Sequence, residues 1–176
     1  MKKSLQIILP IIIIGIIIGM IAIKNINNKN LKETNEGIYN ETNLNIENID
    51  IEQLKKYKIP VIIDLGADWC QPCKAMEPIL VKLNKQLQGK AIIQFLDINK
   101  YPNGVNGVPT ELIPTQIFIN SDGTPYVPSN KLQQDIGFKK YFKSADGSHY
   151  YTTHTGYISE ENLLKILEEM GVNIGG

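Results

Sequence analysis

The sequence predicts an α/β fold in which helices cover both faces of a mixed central sheet, preceded by one N-terminal transmembrane helix. Three observations lead to this prediction. An almost unbroken apolar run covers residues 5–23. Further along the chain, short runs rich in β-branched residues alternate with segments whose apolar residues recur at helical spacing. The resulting order, strand–helix–strand–connection–strand–strand–helix, is typical of a mixed sheet between helices.

The apolar run of residues 5–23 is long enough to cross a bilayer. As a helix it spans about 28 Å, close to the roughly 30 Å of the hydrocarbon core. A cleaved signal peptide is the competing interpretation, but its apolar region is shorter and ends at a small-x-small site, which Gly19-Met20-Ile21-Ala22 matches poorly. We therefore interpret residues 1–24 as an uncleaved anchor. Lysines on both sides of it leave its orientation open.

Residues 25–48 are rich in Asn, Lys, Glu and Thr, which predicts a polar tether with a short strand near residues 38–39. The folded domain is predicted over residues 49–174. Its first element is a short helix over residues 51–57, because Asp50 is a suitable N-cap and is followed by Gln53 three residues later.

Three elements form the centre of the predicted domain. Residues 61–65 are apolar and rich in β-branched side chains, which predicts a buried strand. Apolar residues at helical spacing predict a helix over residues 74–87, and Gly89 is its stop signal. Residues 91–96 form the next strand.

The second half of the domain begins with residues 97–113, whose prolines and glycines predict an irregular connection with one helical turn. A strand over residues 116–119 leads into a turn at Ser121-Asp122-Gly123. Ser159 caps a final amphipathic helix, which ends at Gly171.

Composition excludes several classes of function. The formal net charge is zero, and without a basic patch the chain is not expected to bind nucleic acid. Its two cysteines, Cys70 and Cys73, are too few for a structural disulfide framework. A structural zinc site would need a second CxxC or a paired histidine motif. The pair is therefore catalytic, redox-sensing or half of a metal site.

The two cysteines lie between the predicted central strand and the helix that follows it. This arrangement places Cys70 at a helix N-terminus, where free N–H groups and the helix dipole favour a thiolate. A fall in a thiol pKa from about 8.5 to about 7 raises the thiolate fraction at neutral pH from a few per cent to about half. Cys70 is therefore the candidate nucleophile. Cys73, one turn on and expected to be more buried, would resolve the mixed disulfide.

The segment Asp64-Leu65-Gly66-Ala67-Asp68-Trp69-Cys70-Gln71-Pro72-Cys73-Lys74 resembles the active-site segment of the thioredoxin family. The family's buried acid, six residues before the first cysteine, matches Asp64. Its helix-kinking proline matches Pro78, and its cis-proline loop before a strand matches Ile113-Pro114-Thr115. The resemblance covers residues 49–172 and implies a thioredoxin-like fold.

The resemblance also implies roles for individual residues. Asp64 is flanked by apolar residues, so its pKa is expected to be raised and its carboxylate to accept a proton from Cys73. Pro114 is expected to be cis, and the backbone of Ile113, Pro114 and Thr115 to hold a substrate chain as a short added strand.

Trp69 is expected to shield the site and to contact partners, and Gln71 and Pro72 to tune the reduction potential. Three positions depart from the family pattern. Gln71 replaces a frequent glycine, Gly66 stands where the family frequently has a second tryptophan, and Phe95 replaces a lysine near the buried acid. Because the dipeptide between the cysteines tunes the reduction potential, the replacement at Gln71 leaves that potential open.

Residues 124–155 form an excursion much longer than the hairpin that the family usually has there. We consider two interpretations: a surface segment with its own small apolar contacts, and a partner-docking element near the active face. The excursion contains His149 and His154, the two histidines of the chain, which are the only imidazole candidates for a metal site.

The resemblance implies a protein-disulfide reductase that works through the redox-active Cys70–Cys73 disulfide, with no other cofactor and no metal. Because disulfides persist outside the cytoplasm, we expect a single-pass protein of the cell membrane with its catalytic domain on the extracytoplasmic side. Its expected partners are protein disulfide substrates and a membrane thiol-electron donor.

Three alternatives stay open. An oxidase or isomerase of folding proteins would use the same residues, although Ile113 and the Gln71-Pro72 dipeptide favour a reductant. A copper-binding metallochaperone would use Cys70, Cys73 and His154, although copper carriers of this fold usually space their cysteines by three residues. A redox-inert anchored scaffold is the third.

Overall fold

The computed structural model describes residues 42–175, which form a six-stranded sheet with helices on both faces. The strands are β1 (Asn45–Ile46), β2 (Val61–Gly66), β3 (Ile92–Asp97), β4 (Thr115–Ile119), β5 (Lys139–Phe142) and β6 (His149–Thr155). The helices are α1 (Ile51–Leu54), α2 (Gln71–Gln86), α3 (Asn130–Asp135) and α4 (Glu160–Glu169), with 3₁₀ turns at Lys55–Tyr57 and Pro102–Val105.

The strand order in the sheet is β1-β3-β2-β4-β6-β5. Strands β1 and β2 run parallel to β3, whereas β4 is antiparallel to β2, β6 to β4, and β5 to β6. The predicted mixed sheet is therefore confirmed. The buried strand β2, which leads into the cysteines, lies near the middle of the sheet, between β3 and β4.

Two apolar layers hold the helices against the sheet. On one face, Ile62 and Phe118 pack with apolar residues of α2 and α4. On the other face, Ile63 and Ile117 pack with Leu54 of α1 and with residues of the connections. Because successive side chains of a strand point to opposite faces, an entirely apolar strand such as 61–63 is expected where both faces are covered.

The predicted elements are observed with small shifts at their ends. The main difference is that α2 begins at Gln71, three residues earlier than the periodicity predicts, because Cys70 acts as its N-cap and a proline is tolerated in the first turn. A second difference lies in the predicted tether, where Asn45–Ile46 form β1 and pair with Phe95 and Leu96.

The excursion of residues 124–155 is part of the fold rather than a surface segment throughout. Its first half contributes Tyr126 and Leu132 to the core. The rings of Phe118, Tyr126 and Phe138 pack with centroids 5.4–6.1 Å apart. The second half forms the hairpin β5–β6, whose outer strand β5 is largely exposed at the edge of the sheet.

The predicted transmembrane helix of residues 5–23 and the short strand near residues 38–39 lie outside the described residues. Within residues 42–175, none of the helices combines the length and the apolar character needed to cross a membrane.

Gly104 permits a close approach between the 3₁₀ turn and the segment after β1. The backbone N–H of Ile49 donates to the Gly104 carbonyl at 2.9 Å, and a Cβ at Gly104 would overlap the carbonyl oxygen of Glu47. We expect Gly104→Ala to lower the free energy of unfolding by about 2–3 kcal/mol, measured by urea denaturation. Gly107→Ala is the control: its backbone has φ +78°, but a Cβ there meets open space, so the expected loss is only about 1 kcal/mol. Equal losses in the two variants would contradict this account.

Candidate active site

Cys70 and Cys73 form a disulfide at the start of α2, with their Cα atoms 5.2 Å apart. Cys70 is the N-cap of the helix, and its Sγ accepts a hydrogen bond from the backbone N–H of Cys73 at 3.3 Å. The first turn of a helix has backbone N–H groups without intrahelical partners, and these groups stabilise negative charge. The structure therefore places the sulfur of Cys70 where a thiolate is favoured, as the sequence predicts.

Burial does not separate the two cysteines, because Cys73 is 4% exposed and Cys70 is 5% exposed. The Cys70 side chain folds back onto the first turn of α2, which covers its sulfur. Trp69, by contrast, is 66% exposed beside the disulfide, and Gln71 and Pro72 are also exposed. The Trp69 ring is thus available for contact with a partner rather than packed into the core.

Asp64 lies in the middle of β2 and is completely buried. Burial raises its pKa from the ordinary value of 3.8 to about 7, and a hydrogen bond from Gln116 opposes the increase. A carboxyl group with this pKa exchanges its proton near neutral pH, which is the property needed for general base catalysis.

Two contacts place Asp64 beneath the first turns of α2. Gly66, two residues along the same face of β2, lies so close to Cys73 that a Cβ on it would be 3.2 Å from the Cys73 sulfur. The Gln116 side chain, which bonds Asp64, also lies 3.4 Å from the sulfur of Met76, one helical turn after Cys73. The acid therefore lies on the Cys73 side of the disulfide.

The cis-proline loop lies at the same end of the sheet as the cysteines. The Ile113–Pro114 peptide bond is cis, as predicted, and it is the only cis bond within residues 42–175. Thr115 pairs with Leu65 across β4 and β2. Because these strands are antiparallel, the start of β4 and the end of β2 lie at the same end of the sheet. The loop before β4 therefore neighbours the turn after β2.

Hydrogen bonds on both sides hold this loop in place. The Thr115 hydroxyl donates to the Leu112 carbonyl at 2.7 Å and lies 3.1 Å from the Thr155 hydroxyl. The backbone N–H of Gly156 donates to the Pro114 carbonyl at 2.8 Å. The loop backbone is therefore pre-organised, whereas the Leu112 side chain is 68% exposed.

A family model for thioredoxin matches residues 41–137, which is more than half of the chain. The chain belongs to the thioredoxin family. Thioredoxin from Borreliella burgdorferi is 37% identical over 76 residues, covering 43% of this chain and 65% of the relative. Chloroplastic thioredoxin Y from Oryza sativa subsp. japonica is 36% identical over 89 residues, covering 47% of this chain and 52% of the relative.

Other relatives give a similar picture. Thioredoxin from Buchnera aphidicola is 33% identical over 93 residues, which cover 49% of this chain and 82% of the relative. The match spans between 52% and 65% of the length of four curated relatives, which include the thioredoxins from Borreliella burgdorferi and Oryza sativa. The solved structure of chloroplastic thioredoxin z is 18% identical and covers 74% of this chain and 98% of that chain, with a TM-score of 0.46.

Two of the three departures from the thioredoxin pattern, Gly66 and Phe95, lie together near Cys73. Phe95 pairs with Asp64 across β3 and β2, in the place where the resemblance leads us to expect a lysine. A Cβ on Gly66 would lie only 2.7 Å from the Phe95 ring. The Phe95 ring therefore occupies the space that a larger side chain at position 66 would need.

A cavity of about 500 Å³ opens beside this altered region, between β1, β3 and α2. Cys73 contributes to its wall, together with Phe95 and Leu80. Its rim carries the ion pair of Asp68 with Lys100, 2.6 Å long and largely exposed. Water screens an exposed pair of this kind, so it contributes little to stability, and Asp68 is a solvated charge.

Two site features were not predicted from the sequence: the cavity and the role of Gln116 as the hydrogen-bond partner of Asp64. A glutamine that precedes the apolar residues Ile117, Phe118 and Ile119, two residues after the cis-proline, is the sequence signal that could have indicated Gln116. The histidines make local bonds instead: His149 Nε2 lies 2.9 Å from the Thr152 hydroxyl, and His154 Nδ1 lies 2.7 Å from the Gly137 carbonyl. No group of three metal-ligating side chains occurs in the part of the chain that the structure describes.

Proposed function

We propose that the protein is a thiol–disulfide oxidoreductase that reduces protein disulfides through the Cys70–Cys73 dithiol. The observation that carries the proposal is the disulfide at the N-terminus of α2 with the buried Asp64 behind it. A structural disulfide needs neither a helix N-terminus nor a buried acid whose pKa is near 7. The combination favours a redox-active pair over an inert scaffold.

The reaction follows from this geometry as two exchange steps. The Cys70 thiolate attacks one sulfur of a substrate disulfide, a mixed disulfide forms, and the other substrate sulfur leaves as a thiolate. Asp64 then takes the proton of Cys73, and the Cys73 sulfur attacks Cys70. The second substrate thiolate is released. The substrate disulfide has then been reduced by two electrons, and the dithiol of Cys70 and Cys73 has been oxidised to a disulfide.

The surface around the disulfide fits an extended substrate chain. The backbone of the cis-proline loop, held by Gly156 and Thr155, neighbours the cysteines and would pair with such a chain as an added strand. The side chains of Trp69 and Leu112, 66% and 68% exposed, would supply apolar contacts to such a chain. These contacts would position a disulfide without reading a particular sequence.

The proposed location is the cell membrane, with the catalytic domain on the extracytoplasmic side. The apolar run of residues 5–23 supports the anchor, and the persistence of disulfides outside the cytoplasm supports the orientation. A reductase there must itself be reduced, and the proposed electron source is a membrane thiol carrier. Protease protection of sealed vesicles tests the orientation: an added protease must digest the domain in right-side-out vesicles and spare it in inverted ones.

We expect the full chain in detergent to reduce insulin disulfides with dithiothreitol as the electron source. We also expect the Cys70–Cys73 couple to have a potential near or below about −270 mV, as in reducing members of this fold. Trp69 is the only tryptophan of the chain and lies beside the disulfide, so its fluorescence reports the redox state during equilibration with glutathione or dithiothreitol buffers.

A potential near about −120 mV would instead make the protein a disulfide donor and overturn the reductase proposal. The matched control is the double variant with serine at Cys70 and Cys73, which must show neither insulin reduction nor a redox-dependent change in fluorescence. Insulin reduction by that double variant would assign the activity to something other than the CxxC pair.

A further inference from the structure

We propose that Gln116 is a positioning residue that holds the Asp64 carboxyl group in place for the proton of Cys73, in an orientation locked by the carbonyl group of Gly156. The proposal deepens the proposed function and rests on it, because Asp64 needs positioning only if Cys73 is a resolving thiol. It assigns a role to a buried glutamine that the exchange reaction does not otherwise use.

The contacts of the Gln116 amide determine its orientation. Its Nε2 donates to Asp64 Oδ1 at 2.7 Å and to the Gly156 carbonyl at 3.2 Å, and both Gln116 and Asp64 are completely buried. An amide nitrogen has two hydrogens, and the two neighbouring oxygens are acceptors. With the amide reversed, Gln116 Oε1 would face the Gly156 carbonyl oxygen, and also a carboxylate oxygen whenever Asp64 is ionised, with no proton between them. The observed orientation is therefore the favoured one.

Gly156 is itself fixed from its other side. Its N–H donates to the Pro114 carbonyl at 2.8 Å, and its φ of +115° is a conformation that other residues rarely adopt. The Gly156 carbonyl is therefore a fixed acceptor rather than a mobile loop atom. One residue thus connects the cis-proline loop to the amide that holds the acid.

The other neighbours of Asp64 offer no comparable support. On β3 it pairs with Phe95, which has no polar side-chain atom, and α2 contributes the disulfide sulfur of Cys73 and the thioether of Met76. On β6, His154 pairs with Gln116 in the sheet register and is bonded to a backbone carbonyl. Within residues 42–175, Asp64 takes part in no ion pair, and Gln116 is the only side chain that hydrogen-bonds it.

This arrangement gives the two carboxylate oxygens of Asp64 different roles. Oδ1 is occupied by the Gln116 donor, whereas Oδ2 has no hydrogen-bond partner among the described residues. In the resolving step the proton therefore moves from the Cys73 sulfur to Oδ2, and solvent or the departing substrate thiolate later takes it. A donor on Oδ1 stabilises the carboxylate, so it keeps part of the Asp64 population ionised at neutral pH despite burial.

The test is the Asp64 pKa, followed by carboxyl ¹³C NMR on the oxidised full chain in detergent. Gln116→Met keeps the size of the side chain and removes the donor. We expect the pKa of Asp64 to rise by about one pH unit or more, and resolution of a mixed disulfide at pH 7 to slow by about fivefold and to recover at higher pH. Gln94→Met is the matched control, since Gln94 is also buried but points to the other face of the sheet.

An unchanged Asp64 pKa in Gln116→Met, or an equal change in Gln94→Met, would overturn the proposal. A second measurement needs no variant: in the wild-type chain, the side-chain amide resonances of Gln116 must titrate with the same midpoint as Asp64, and their independence would also overturn it. The NMR measurements use the oxidised protein and require no turnover. A shifted pKa without insulin reduction therefore rejects the proposed function alone, and insulin reduction with an unchanged pKa rejects this inference alone.

Discussion

Cys73→Ser is expected to trap the protein as a stable mixed disulfide with its substrate, with insulin turnover lowered by about a thousandfold or more. Cys70 retains its position at the N-terminus of α2 and can still attack. The mixed disulfide then persists because the variant has no second thiol to resolve it. Non-reducing gels show the covalent complex directly, and dithiothreitol must dissolve it.

Cys70→Ser is the matched control and is expected to lose turnover without forming the complex. The comparison decides the order of attack, which the exposed fractions of 5% and 4% do not separate. The alternative order has a structural basis, since Cys73 borders the cavity beside Phe95. A stable complex formed by Cys70→Ser but not by Cys73→Ser would make Cys73 the nucleophile and that cavity its route of approach.

The parts of the fold that the sequence predicts are those with a long or strongly periodic pattern. Strand β2 is recognised from its continuous apolar run, and α2 and α4 from apolar residues at helical spacing followed by glycine. The candidate site residues are predicted from a different signal, the CxxC pair together with the resemblance to the thioredoxin active-site segment. The residues of that segment, from Asp64 to Cys73, lie close together along the chain.

The elements that escape prediction are short and depend on contacts distant in sequence. Strand β1 has two residues and exists because it pairs with β3. Helix α3 has six residues, and β5 is a polar edge strand that takes its register from β6. Local pattern is weak in such segments, because tertiary pairing rather than propensity stabilises them.

Gln116 shows why part of the candidate site could not be predicted from the sequence either. The sequence shows that a polar residue precedes an apolar run, but its partner is chosen by the antiparallel register of β4 on β2, which places Gln116 opposite Asp64. The replacements at Gly66 and Phe95 are equally visible in the sequence. Only the parallel register of β2 and β3 shows that they fill one space.

Asp64→Asn is expected to stabilise the protein by about 4 kcal/mol at pH 8 and to leave its stability nearly unchanged at pH 4. Burial raises the pKa of Asp64 from 3.8 to about 7, so the folded state binds the proton more tightly than the unfolded chain does. The stability from this group is complete below about pH 4 and is lost as the pH rises to about 7. Asparagine mimics the neutral acid and avoids the loss. Denaturant midpoints measured at one-unit steps from pH 4 to pH 9 test this.

The control is Asp122→Asn at an exposed turn, where hydrogen bonds from Thr124 lower the pKa of the carboxyl group, so its effect must be small and of the opposite sign. Curves for Asp64→Asn and wild type that run parallel from pH 4 to pH 8 would contradict a raised pKa. The same substitution must slow resolution by Cys73, because asparagine accepts no proton at this pH. A chain selected for stability alone would have a neutral residue at position 64. The buried acid is therefore best explained by its proposed role as the acceptor of the Cys73 proton. It lowers the stability of the protein over the same pH range in which it loses its own proton and becomes a base.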